Sequence, residues 1–66
     1  MKKEFVIFED RSQKATLTLI EKKNDYYDLE SKTISVKTGQ IQMLDTIEFH
    51  KSELKDLGAW IVENIE

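Results

Sequence analysis

Sixty-six residues, 39% apolar and 35% charged with a formal net charge of −3, describe one small folded domain, residues 1–66, and not a disordered chain. The absence of cysteine excludes disulfides and thiolate zinc sites, and no apolar run approaches the roughly 20 residues of a membrane span. A chain this short buries too little surface to be robust alone, so pairing with a second copy is expected from the outset.

The start, Met1-Lys2-Lys3-Glu4-Phe5, has neither the long apolar stretch nor the small-residue cleavage site of a secretory signal. The expected compartment is the cytoplasm, of a cell or of a host cell. "EFVIFE" (4–9) is aromatic and β-branched, too short for a helix, and apolar on both faces, Phe5 and Ile7 opposing Val6 and Phe8. It reads as a strand covered on both sides. "EDRSQK" (9–14) is a polar turn, and "KATLTLIEK" (14–22) alternates, with Ala15, Leu17 and Leu19 facing one way and Thr16, Thr18 and Ile20 the other. Threonines in that pattern suit the exposed face of a half-buried sheet.

"KKND" (22–25) is a turn by composition, and "YYDLESKTISVK" (26–37) reads as a third strand, bent or bulged near Ser31. "KTGQ" (37–40) carries Gly39, the clearest turn signal. "IQMLDTIEF" (41–49) alternates with Ile41, Met43, Ile47 and Phe49 in phase, interrupted by Asp45, while Leu44 faces the other way. After Phe49 the period lengthens: Leu54, Leu57, Ile61 and Ile65 form one helical stripe, flanked by Trp60 and Val62. Gly58 lies within the stripe, where it costs about 1 kcal/mol against alanine, so a close contact is its expected reason. The order is β-β-β-β-α: an α+β domain with a four-stranded antiparallel sheet and one C-terminal amphipathic helix.

The strand-to-helix seam, "IEF", then His50, then "KSELKDLGAWIVENI", resembles the positive cofactor four family of single-stranded-DNA-binding transcription cofactors. There a four-stranded antiparallel sheet ends in an apolar–polar–apolar triplet, a cap and an amphipathic helix. Lys51 stands where that family has a proline after the cap. The resemblance implies a homodimer that holds single-stranded nucleic acid across curved sheet surfaces through basic, hydroxyl and aromatic side chains. Residues of the matching kinds are Lys14, Thr16, Thr18, Lys22, Lys23, Tyr26, Tyr27 and Lys32, and the sheet is less basic than is usual in the family.

Catalysis is not expected: there is one histidine, no cysteine and no glycine-rich phosphate loop. His50 and Glu53 have the spacing of a helix capping box, with Ser52 as an alternative cap. Asp45 suits an edge or a bulge, where a charge discourages strand aggregation. Tyr26-Tyr27 beside Lys22, Lys23 and Lys32 is the basic–aromatic neighbourhood of the chain, interleaved with Asp25, Asp28 and Glu30. One of two adjacent tyrosines on a strand must face the core.

Residues 1–40 carry eight basic against seven acidic side chains, whereas residues 41–66 carry two against six, so whole-chain charge does not decide the partner. The primary expectation is a small non-enzymatic protein holding single-stranded DNA or RNA on its sheet, with no metal and no cofactor. Leu57, Trp60, Ile61 and Val62 are expected at a homodimer interface. The alternative is a protein-interaction module, for example a small phage or plasmid protein that inhibits or adapts a host factor through its acidic helix or an edge strand.

Overall fold

The computed structural model describes residues 1–66. Strands β1 (Lys2–Glu9), β2 (Gln13–Glu21), β3 (Tyr26–Ser35) and β4 (Ile41–His50) form one antiparallel sheet in the order β1-β2-β3-β4, and helix α1 (Lys51–Asn64) follows. The ββββα architecture is the one the patterning predicts.

Each turn has a local cause. Between β1 and β2, the Asp10 carboxylate accepts from the Ser12 and Gln13 backbone N–H groups, both at 2.8 Å, and from the Ser12 hydroxyl at 2.9 Å. Between β2 and β3, Asn24 and Asp25 both adopt positive φ, 60° and 63°, and the Tyr26 N–H donates to the Lys23 carbonyl. That mirror-image turn matches the twist of the flanking strands, and Asn and Asp tolerate it better than most residues. Between β3 and β4, Gly39 takes φ 72°.

Residues paired across an antiparallel ladder share a face of the sheet, and two bulges revise the face assignments drawn from alternation alone. In β1, Val6 pairs with Thr16 and Phe8 with Ala15, leaving Ile7 as the extra residue. Phe8 therefore joins Phe5 on the face of Ala15 and Leu17, rather than opposing it beside Val6. In β4, Met43 pairs with Thr33 and Ile41 with Ile34, leaving Gln42 over; Ile41 thus falls on the opposite face from Met43. The bulges lie in the two edge strands and not at Ser31, which keeps regular pairing with Leu17 and Asp45. Edge bulges twist an unpaired strand away from foreign strands. Asp45 lies on edge strand β4, consistent with the protective reading.

The helix begins with no intervening loop: His50 ends β4 and Lys51 opens α1. His50 is the N-cap, its Nδ1 accepting from the Ser52 N–H at 3.2 Å, while Glu53 accepts from the His50 N–H at 2.8 Å. The Lys51 N–H donates to the Asp25 carbonyl at 2.8 Å, tying the helix start to the β2–β3 turn. From there α1 runs off the end of the sheet and packs only lightly on β4.

One face of the sheet gathers Phe5, Phe8, Leu17, Leu19, Leu29, Met43, Ile47 and Phe49; the other is mostly polar. Because α1 does not lie on its own sheet, the apolar face stays open, with Phe5 67% exposed. Leu54 and Leu57 are half-buried, and Trp60, Ile61, Val62 and Ile65 are exposed. The close contact expected at Gly58 is absent within the chain: a Cβ there would meet nothing within 4 Å.

Candidate nucleic-acid interface

The polar face is built in rows. Across the strands run Lys2–Ile20–Asp28–Glu48, then Glu4–Thr18–Glu30–Thr46, then Val6–Thr16–Lys32–Leu44, then Glu9–Lys14–Ile34–Ile41. Lys14, Thr16, Thr18, Tyr26 and Lys32 belong to this face, so the sheet collects five of the eight expected contact residues. Lys22 and Lys23 sit in the β2–β3 turn. Tyr27 pairs with Glu21 and Phe49, which places it on the apolar face; adjacent strand residues point opposite ways, and the expected split of the two tyrosines is realised.

The threonines differ from expectation. Thr16 is 4% and Thr18 is 2% exposed, more buried than any residue of the apolar face. Both are short side chains on an inner strand, flanked by the longer Val6 and Lys32 or by Glu4 and Glu30. The Thr16 hydroxyl is buried without a hydrogen-bond partner. An orphaned buried polar group costs roughly 1–3 kcal/mol, and this one lies next to Lys32 across the ladder and Lys14 along its own strand.

Electrostatically the face has two ends. At the β2–β3 turn, Lys22 is salt-bridged to Glu48 and lies 3.5 Å from Asp28. Its hydrogen bond to Glu48 raises its pKa, opposed by desolvation and aided by Asp28. Tyr26 packs edge-on against His50, ring centroids 5.2 Å apart at 80°. On the opposite, apolar face the Tyr27 hydroxyl donates to Glu21 at 3.3 Å; desolvation and then the Glu21 charge raise its pKa. On the polar face this end is charge-balanced and internally paired, Lys2, Lys22 and Lys23 standing against Asp25, Asp28 and Glu48.

The opposite end brings together Lys14, Lys32 and two cations that sequence reading missed, Arg11 and Lys37. A meander puts its first and third turns at one end of the sheet, and the Val36 N–H indeed donates to the Ser12 carbonyl at 3.0 Å. Strand order together with the turn positions was the signal that would have found them. Glu9 and Asp10 are the acids nearby; backbone hydrogen bonds from Gln13 and Ser12, then the Ser12 hydroxyl, lower the Asp10 pKa.

Tyr26 and Lys32 are six residues apart on β3, about 20 Å at strand rise, so the aromatic and the basic features are not neighbours. The molecule has no pocket and no group of three or more His, Cys, Asp or Glu residues placed to hold a metal ion. No helix is long and apolar enough to cross a membrane. Comparison with protein families, curated proteins and solved structures finds no match to the chain.

Proposed function

We propose that this protein is a non-enzymatic binder of single-stranded nucleic acid, with the strand lying on the polar sheet face and its phosphates at the basic end. The observation that carries this reading is the orphaned Thr16 hydroxyl set beside Lys14 and Lys32. A nucleic-acid strand supplies both what the hydroxyl needs, a hydrogen-bonding group, and what the lysines need, phosphate charge. Lys32 is the ladder partner of Thr16, and its long stem is free to carry the ammonium toward a phosphate beside the hydroxyl. Arg11 and Lys37 extend the phosphate track, and Tyr26 offers an aromatic face at the far end of the same surface. Lys22 contributes least, because Glu48 and Asp28 already neutralise it.

The test is fluorescence anisotropy with a labelled single-stranded oligonucleotide at two salt concentrations. Each phosphate contact removed lowers the salt slope by about 0.7, so Lys14→Glu/Lys32→Glu should weaken binding at least tenfold and flatten the slope. Lys22→Glu/Lys23→Glu should do much less. No binding of the unsubstituted protein at low salt would overturn the reading.

One observation favours a second reading. The charge of −3 and the exposed acids Glu53, Asp56 and Glu63 along α1 suit a protein-interaction module that engages a basic surface on a host factor. An anisotropy titration without response, alongside capture of a basic protein partner that is lost on Asp56→Lys/Glu63→Lys, would favour it.

A further inference from the structure

The join between sheet and helix depends on one titratable acceptor. α1 follows β4 with no residue between them and packs only lightly on that strand, so its first turn sets its direction. Three hydrogen bonds fix that turn. The Ser52 N–H donates to His50 Nδ1 at 3.2 Å, the His50 N–H to Glu53 at 2.8 Å, and the Lys51 N–H to the Asp25 carbonyl at 2.8 Å. A histidine nitrogen accepts only while it is unprotonated, so the cap requires the neutral ring with its proton on Nε2. Tyr26, the ladder partner of His50, packs edge-on against the ring at 5.2 Å between centroids and holds it in place.

Protonation reverses these bonds without moving the ring. His50 Nδ1 also lies 2.9 Å from the Ser52 hydroxyl, which turns from donor to acceptor by simple rotation. The Ser52 N–H cannot turn: it faces a second donor and loses its acceptor. The new charge also sits at a helix N-terminus, where a cation is unfavourable. Around the junction stand Lys51 and Glu53 on α1, Glu48 on β4, Tyr26 on β3, and Lys22, Lys23 and Asp25 in the β2–β3 turn. Glu48 is bound to Lys22, and opposite charges accompany each other in the β2–β3 turn and in the first helical turn. The direction of the capping hydrogen bond therefore distinguishes the two ring states.

We infer that His50 is a pH-operated cap. Neutral, it starts α1 at Lys51; protonated, it passes the cap to Ser52, a stronger capping residue, and the helix starts at Glu53. The return bond from Glu53 and the tie from Lys51 to Asp25 then lose their geometry, and α1 is released from the direction that the junction imposes. The intact turn requires the neutral ring, whereas the shortened helix accepts either form. Intact capping is therefore present above the range in which histidine titrates, about pH 5 to 8, and is lost as pH falls through it. The device does not depend on what the polar face binds.

The chain has one histidine, so its ring signals report cleanly. Nuclear magnetic resonance of the isotopically labelled protein should show the neutral ring protonated on Nε2 near the upper end of that range, about pH 8. On acidification the Cα shifts of Lys51 and Ser52 should move from helical to extended values along the same curve as the ring. Those from Leu54 onward should stay helical. A neutral ring protonated on Nδ1 overturns the inference. So do Lys51 and Ser52 shifts that stay fixed while the ring titrates, and so does a helix that melts throughout with no boundary after Ser52.

Two variants sharpen the test. His50→Asn keeps a side-chain acceptor that does not titrate, and should hold Lys51 and Ser52 at helical values from neutral pH into acid. Ser52→Ala removes the second cap, so its acid transition should spread past Ser52 into Leu54. An acid transition in His50→Asn equal to that of the unsubstituted protein overturns the inference, as does a Ser52→Ala transition that stops at the same residue. Should either variant fail to fold, the titration of the unsubstituted chain decides by itself.

Discussion

The two faces of the sheet invert the usual relation between chemistry and burial. The polar face buries its central threonines to within a few per cent, while the apolar face leaves Phe5, Met43 and Ile47 more than half exposed. The polar face is closed by its own side chains: Thr16 and Thr18 are short, and Lys32, Glu30 and Glu4 beside them are long. The apolar face has no such self-cover, and the helix that would cover it is held beyond the end of the sheet. Alternation, shifted at the two bulges, decides which side chains share a face; burial depends on what lies on that face.

Ile47 and Leu44 test the contrast most strongly, since they are exposed to similar extents, 58% and 50%, on opposite faces of β4. If the apolar face is covered in the working molecule, Ile47→Ala costs about 2–5 kcal/mol, the range for buried large-to-small changes. Leu44→Ala should cost under about 0.5 kcal/mol, as at ordinary surface positions. Urea unfolding followed by circular dichroism reads both, and equal losses would break the distinction between the faces.

Thr16→Val has the next largest effect, with opposite signs on fold and function. Removing an orphaned buried hydroxyl in favour of a methyl should stabilise the protein by about 1 kcal/mol, while weakening oligonucleotide binding. If binding is unchanged, the hydroxyl is not part of the interface.

Glu53→Ala removes the return half of the capping box and should cost about 1 kcal/mol, read as a shift in the urea midpoint. Because the cap fixes the first turn of α1 at the end of β4, the loss should appear in helix content as well.

Asp10 gives the smallest effect and a pH signature. Its folded pKa lies below the ordinary value because backbone N–H groups of Gln13 and Ser12 hold the carboxylate. The stabilisation is therefore present above the unfolded pKa and fades as pH falls through the depressed folded one. Asp10→Ala should lower the melting temperature slightly at neutral pH and match the unsubstituted protein in strong acid. A gap that persists in acid would show that the turn does not depend on the charge.

Much of this was legible from residues alone. The change of period after Phe49, and the three-residue spacing of His50 and Glu53, located the strand-to-helix seam and its cap. Two adjacent tyrosines on one strand had to part, and they did. The bulges at Ile7 and Gln42 were not legible, because a bulge belongs to the pairing of two strands and neither strand carries it alone. Arg11 and Lys37 escape a linear reading for a similar reason: 26 residues apart, they share one end of the sheet only because the meander returns there. The basic–aromatic cluster read from adjacency, Tyr26 and Tyr27 with Lys22, Lys23 and Lys32, is by contrast dispersed, since one tyrosine turns away and Lys22 is claimed by acids from two strands.

Element order, turns and the alternating pattern of each strand follow from the residues alone, because they rest on local periodicity and on backbone preferences of single residues. Tertiary structure alone decided what is buried, which cations share an end, and that the helix stands clear of its own sheet. Those outcomes rest on strand register and on a junction with no loop, and both exist only once the strands have paired.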